Sequence, residues 1–138
     1  MANEFEGACL CGKVEYKVKG PFLRFFLCHC SRCRRASGSA HGANVFTRMA
    51  NVTFTAGEDK VKRFDLPDAD EFARAFCTEC GSPVPYMSRD KKVYVVAVGG
   101  LKNFEGRKVD AMVHWDSRTA WYDDALEAPR KTAADLAK

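Results

Sequence analysis

Seven cysteines in 138 residues, all in three short clusters, constrain this chain more than any other feature. Cys9 and Cys11 stand in CLC, Cys28, Cys30 and Cys33 in CHCSRC, and Cys77 and Cys80 in CTEC. An odd number of cysteines does not pair off into a disulfide framework. No charged start leads into an apolar segment of the kind that directs secretion. A reducing, cytoplasmic setting is therefore expected, in which clustered cysteines serve as metal ligands or redox groups.

Tetrahedral zinc accounts for the spacing. Structural zinc sites take four protein ligands, with each thiolate sulfur at about 2.3 Å from the metal. In CTEC, two intervening residues let the chain turn so that both sulfurs face one ion. Gly81 follows the second cysteine, and Gly12 follows CLC. Glycine permits the positive-φ turn that can aim backbone N–H groups at the sulfurs. The two pairs together make one closed site of Cys9, Cys11, Cys77 and Cys80, which ties the start of the chain to its middle. The CHCSRC triplet then supplies Cys28, Cys30 and Cys33 to a second ion. Three ligands from one short loop leave a fourth position open, which is the plan of a catalytic or ligand-exchanging zinc. Two simpler readings compete. Reduced cysteines can be small core hydrophobes, and Cys77 with Cys80 could be a redox dithiol. His29 lies inside the triplet, but neighbours in an extended loop point to opposite sides, which argues against its being a ligand.

Composition bounds the rest. With 46% hydrophobic and 29% charged residues, the chain is a globular protein rather than a disordered one, and its length suits one domain over residues 1–138. The apolar run Phe22–Leu27 is broken by Arg24, and nothing approaches the ~20 residues needed to span a bilayer. Twenty-two Lys and Arg against eighteen Asp and Glu leave +4, too weak a bias to imply nucleic acid.

The apolar pattern has period 2, so a mainly β chain is expected. Val14, Tyr16 and Val18 alternate with charged residues up to Gly20-Pro21. Further strands are expected at Val52–Thr55, Val61–Phe64, Phe72–Phe76, Lys92–Val98 and Val109–Trp115. One turn of helix is expected around Ser31–Ala36 and a short helix after Pro129. Most of the ten Phe, two Trp and four Tyr are expected in the core, with Trp115 and Trp121 less firmly placed near a strand end.

The order CxC, CxCxxC, CxxCG resembles the glutathione-dependent formaldehyde-activating family, also called the centromere-protein-V/GFA domain. GACLCGKVEYKV looks like its opening strand, CHCSRCRRASGS like its middle loop and FCTECGSPV like its knuckle. His114 to Trp121 resembles its closing segment, without the proline that commonly precedes the tryptophan. The knuckle is commonly followed by an aromatic residue where this chain has Pro83, Val84 and Pro85 before Tyr86.

The resemblance implies a β-tent, antiparallel sheets stapled by zinc, with a short C-terminal helix. It also implies Cys9, Cys11, Cys77 and Cys80 as structural zinc ligands and Cys28, Cys30 and Cys33 as labile or catalytic ones. The family reaction adds glutathione to formaldehyde, so the implied partners are a small thiol and a small aldehyde. An open tris-thiolate zinc carries a formal charge of −1. That favours activation of a thiol over polarisation of the aldehyde. Arg32, Arg34 and Arg35 flank the triplet and could offset thiolate charge or grip a glutathione carboxylate, though such a basic run also serves as a solvated face. Ser37, Ser39 and Asn44 are further candidates to line the pocket. Hemithioacetals form without a catalyst, which keeps two alternatives open. One is a non-catalytic zinc-stabilised module that binds glutathione or a protein partner, and the other is a lyase for another glutathione conjugate.

Overall fold

The computed structural model describes residues 3–137. Its strands form three sheets. The first is a three-stranded antiparallel sheet of β1 (Glu4–Ala8), β2 (Glu15–Lys19) and β5 (Val52–Ala56), in the order β1-β2-β5. Tyr16 and Val18 of β2 are buried and Glu15, Lys17 and Lys19 are exposed, as the alternation requires.

The second sheet has five strands. They are β3 (Phe22–Cys28), β4 (Gly42–Arg48), β9 (Tyr86–Met87), β10 (Val93–Ala97) and β11 (Ala111–Val113), in the order β11-β3-β4-β10-β9. The third is a small antiparallel sheet of β6 (Val61–Asp65), β7 (Ala73–Cys77) and β8 (Pro83–Val84). Helix α1 (Ser31–Ser37) links β3 to β4, and α2 (Trp121–Ala125) and α3 (Ala133–Leu136) follow β11.

One pairing departs from the antiparallel expectation, because β11 lies parallel to β3, with Ala111 opposite Phe26 and Val113 opposite Cys28. Asp110 sets that direction. Its backbone N–H donates to Phe25 O at 2.8 Å, and Phe25 N–H donates to Asp110 Oδ2 at 2.9 Å. The strand expected over Val109–Trp115 shortens to three residues accordingly. The expected helical turn near Ser31 is a full α1, closed by Gly38 in the left-handed region at φ 66°. The helix expected after Pro129 is the four-residue α3, which begins in a capping box between Thr132 and Asp135.

The core joins all three sheets. Phe5, Tyr16 and Val18 of the first, with Val14 just before β2, pack with Phe25, Val45 and Val96 of the second and Ala75, Cys77 and Val84 of the third. Trp115 and Trp121 stay outside it, both exposed. Among the described residues no helix is long and apolar enough to cross a membrane.

Candidate functional site

The three cysteine clusters of the sequence become two clusters in space. Cys9 and Cys11 follow β1, Cys77 ends β7 and Cys80 lies in the turn after it, so the first group bridges the first and third sheets. All four sulfurs lie within 4.8 Å of one another. Cys9 Sγ to Cys11 Sγ is 3.6 Å and Cys11 Sγ to Cys77 Sγ is 3.9 Å. A tetrahedron with metal–sulfur bonds of about 2.3 Å has edges of about 3.8 Å, so the sulfurs are spaced for one ion. Both flanking glycines take the positive φ expected of them, Gly12 at 78° and Gly81 at 77°. Their N–H groups close turns on Cys9 O and Cys77 O instead of reaching sulfur. Val14 instead donates its N–H to Cys9 Sγ at 3.3 Å. The Cys80 thiol is held down to about 5, chiefly by the Ser82 hydroxyl and then by the backbone of Cys11 and Ser82.

The second cluster holds Cys28 at the end of β3, Cys30 at the N-cap of α1 and Cys33 within it, again with sulfurs inside 4.8 Å. Cys30 Sγ accepts from Cys33 N at 3.4 Å, which locks the loop into the helix start. The three thiols conflict in charge. Burial pushes Cys33 up, and the neighbouring Cys28 and Cys30 push it further. Burial also raises Cys28. Burial works the same way on Cys30, but the Cys33 N–H and the sulfurs beside it outweigh that and lower it. Three such sulfurs become simultaneous thiolates when a cation sits among them. The donor set of each cluster therefore fits a soft divalent metal. No fourth Cys, His, Asp or Glu joins the second group among the described residues.

His29 turns away from the triplet, as expected. Its ring is fully buried against His41, Trp115 and Tyr122, at centroid distances of 4.9, 5.2 and 4.8 Å. The arginines separate on α1. Arg32 and Arg35 are exposed, while Arg34 is half-buried with its Nε enclosed and without a hydrogen-bond partner. Ser37 closes the loop after α1, its hydroxyl donating to His41 O at 3.1 Å and accepting from Ser39 N at 3.2 Å. Ser39 is exposed. Asn44 and the cluster flank the same glycine, since a Cβ built on Gly42 would lie 3.3 Å from Asn44 Nδ2 and 3.8 Å from Cys33 Sγ.

Two neighbours carried no signal in the cysteine pattern. Tyr86 has its phenol pushed up to about 12, by burial first and then by the charge of Cys33, which places it in electrostatic reach of the triplet. Arg74 on β7 donates to Ala36 O at 2.8 Å and so holds α1 against the third sheet. The alternation of Gly42, Asn44 and Phe46 with Ala43, Val45 and Thr47 is the sequence signal that could have singled out the β4 face.

Three sheets gathered around a four-sulfur cluster and a separate three-sulfur cluster define a mainly β class of protein with two cysteine groups that could hold metal ions. The family model described as glutathione-dependent formaldehyde-activating enzyme matches residues 4–117, and the chain belongs to that family. A crystal structure of a Rhodobacter sphaeroides protein has the same fold, with a TM-score of 0.61 and 24% identity, covering 78% of this chain and 99% of the other. Comparison with curated proteins gives no match.

Proposed function

We propose that the protein is a zinc-dependent carbon–sulfur lyase of the glutathione-dependent formaldehyde-activating type, adding a thiol such as glutathione to formaldehyde or a related small aldehyde. The observation that carries this reading is the Cys28, Cys30, Cys33 group, three converging sulfurs with no fourth protein ligand among the described residues. Cys9, Cys11, Cys77 and Cys80 would hold a structural zinc and the triplet a labile one. Zinc in the triplet would lower the pKa of a thiol entering the open position.

The chain's own residues supply position. Cys30 and Cys33 are fixed by α1, and Cys28 by its place opposite Gly42 in β3 and β4. Arg34, whose enclosed Nε lacks a hydrogen-bond partner, would take a carboxylate of the thiol. Arg32, Arg35 and Ser37 form the rim of the same helix and contribute positive potential and shape. Both substrates are small molecules, and free thiolates persist in a reducing, cytoplasmic compartment.

The test is turnover by zinc-loaded protein mixed with glutathione and formaldehyde, followed by NMR exchange between aldehyde and hemithioacetal. Exchange well above the uncatalysed rate, abolished in Cys30→Ser, is the expected result. An uncatalysed rate with both centres metal-loaded would leave the chain a binding module.

A further inference from the structure

Residues directly opposite one another on neighbouring strands share a sheet face. Across the second sheet the register therefore places Phe26 and Cys28 of β3, Asn44 and Phe46 of β4 and Tyr86 of β9 on one face. The opposite face carries Phe25, Val45, Thr47 and Val96, all buried in the core. These five residues are each only partly covered; the same face also carries Val95, which is buried, and Arg24, opposite Phe46, whose guanidinium carbon lies 5.9 Å from the Phe26 ring centroid. Two features make it a binding strip. The first is Asn44. Glycine at position 42 keeps the gap between its amide and Cys33 open, because a Cβ there would crowd Asn44 Nδ2. Asn51, by contrast, has its amide tied to Gly20 O and Thr47 Oγ1. The second is the pair of rings beyond Asn44. Phe26 lies directly opposite Asn44, and its ring centroid is 6.0 Å from that of Phe46 in an edge-on arrangement.

We propose that Asn44 donates to the carbonyl oxygen of the aldehyde, and that Phe26 and Phe46 receive its substituent. The acceptor is then an aldehyde bearing an apolar, aryl-sized group in preference to formaldehyde. This rests on the thiol-addition reading for its chemistry. In the step, the thiol sulfur bonds to the carbonyl carbon and the C=O π bond breaks. Its electron pair moves onto the oxygen that faces Asn44. The proton lost by the thiol ends on that oxygen, so RSH and R′CHO give RSCH(OH)R′ with nothing else consumed. Formaldehyde has no substituent to lay on the rings, whereas covering a phenyl group there strengthens binding about 10- to 100-fold.

The experiment uses zinc-loaded protein with two unreactive carbonyl probes, phenylacetamide and acetamide, followed by 1H–15N NMR. In parallel, kcat/KM is measured with glutathione and either phenylacetaldehyde or formaldehyde. Phenylacetamide is expected to bind at least about 10-fold more tightly and to shift the Asn44 side-chain resonance, and Phe46→Ala to remove that preference. Asn44→Ala is expected to lower kcat/KM for phenylacetaldehyde about 10- to 100-fold, with zinc content and melting unchanged. Equal binding of the two amides by the wild-type protein, or shifts confined to another face, overturns the proposal and leaves thiol addition standing. A retained amide preference with no turnover of any aldehyde does the reverse, supporting the carbonyl strip and removing the thiol-addition reading.

Discussion

The Leu10 N–H donates to Ser82 Oγ at 3.1 Å and the Cys80 thiol donates to the same oxygen at 3.3 Å; as a thiolate, Cys80 accepts the Ser82 hydroxyl hydrogen instead. A non-ligand thus fixes one corner of the four-sulfur cluster. Ser82→Ala is expected to weaken metal binding there about 10- to 100-fold, read by competition with a chromophoric chelator, while the triplet site is unchanged. Equal loss from both sites would mean that Ser82 acts on the fold and not on Cys80. His29 poses the opposite case. Its ring is enclosed, both ring nitrogens lack a hydrogen-bond partner, and burial leads the causes that lower its pKa. An unpartnered buried polar group costs on the order of 1–3 kcal/mol. His29→Phe keeps the aromatic shape and removes those atoms, so its melting temperature is expected to equal or exceed that of the wild type. A clear drop would show that the imidazole bonds to an ordered water or a substrate group.

At the scale of elements, Asp110 anchors the entry of β11 onto β3. Arg107 holds the Asp110 carboxyl down to about 2, and the Phe25 N–H adds to that. The folded value lies below the ordinary carboxylate pKa of about 3.9, so the contribution is present above that value and lost as pH falls through about 2. Asp110→Asn is therefore expected to flatten the fall in stability between about pH 4 and pH 2, measured as the difference between paired denaturation curves of variant and wild type. Parallel, unshifted curves would release Asp110 from this role. This anchor was not legible in the sequence, because two-residue exchanges across a long separation leave no periodic trace. The β2 and β10 strands were legible, since Tyr16 and Val18 alternate with charge and Lys92–Val98 is nearly continuous in apolar residues. Strand β4 was missed because GANVFTR opens with small residues and puts Asn44 and Phe46 on a face that is neither core nor solvent. The triplet was legible as a group of converging sulfurs, yet its walls were not, since Tyr86 and Arg74 arrive from other strands with ordinary spacing.

At the scale of the whole molecule, the two sulfur clusters differ in what they join. The four-sulfur cluster connects Cys11 to Cys77, a separation of 66 residues, and sits where Cys9 and Cys77 are part of the core. The triplet closes a loop from Cys28 to Cys33 only, already held by β3 and α1. Closing the longer loop costs about 2 kcal/mol more chain entropy, a cost that metal at the four-sulfur cluster meets on folding. Binding energy at such closed sites is folding energy, on the order of 10 kcal/mol for structural zinc. Cys77→Ser is accordingly expected to abolish cooperative folding. Cys30→Ser is expected to lose one zinc and any thiol-dependent turnover while its circular dichroism stays near wild type. Native mass spectrometry, expected to find two zincs in the wild type and one in Cys30→Ser, combined with melting of both variants, decides the matter. If Cys30→Ser melts below Cys77→Ser, the structural role belongs to the triplet. The open coordination position would then lie among Cys9, Cys11, Cys77 and Cys80, where Cys11 and Leu10 are already exposed to solvent.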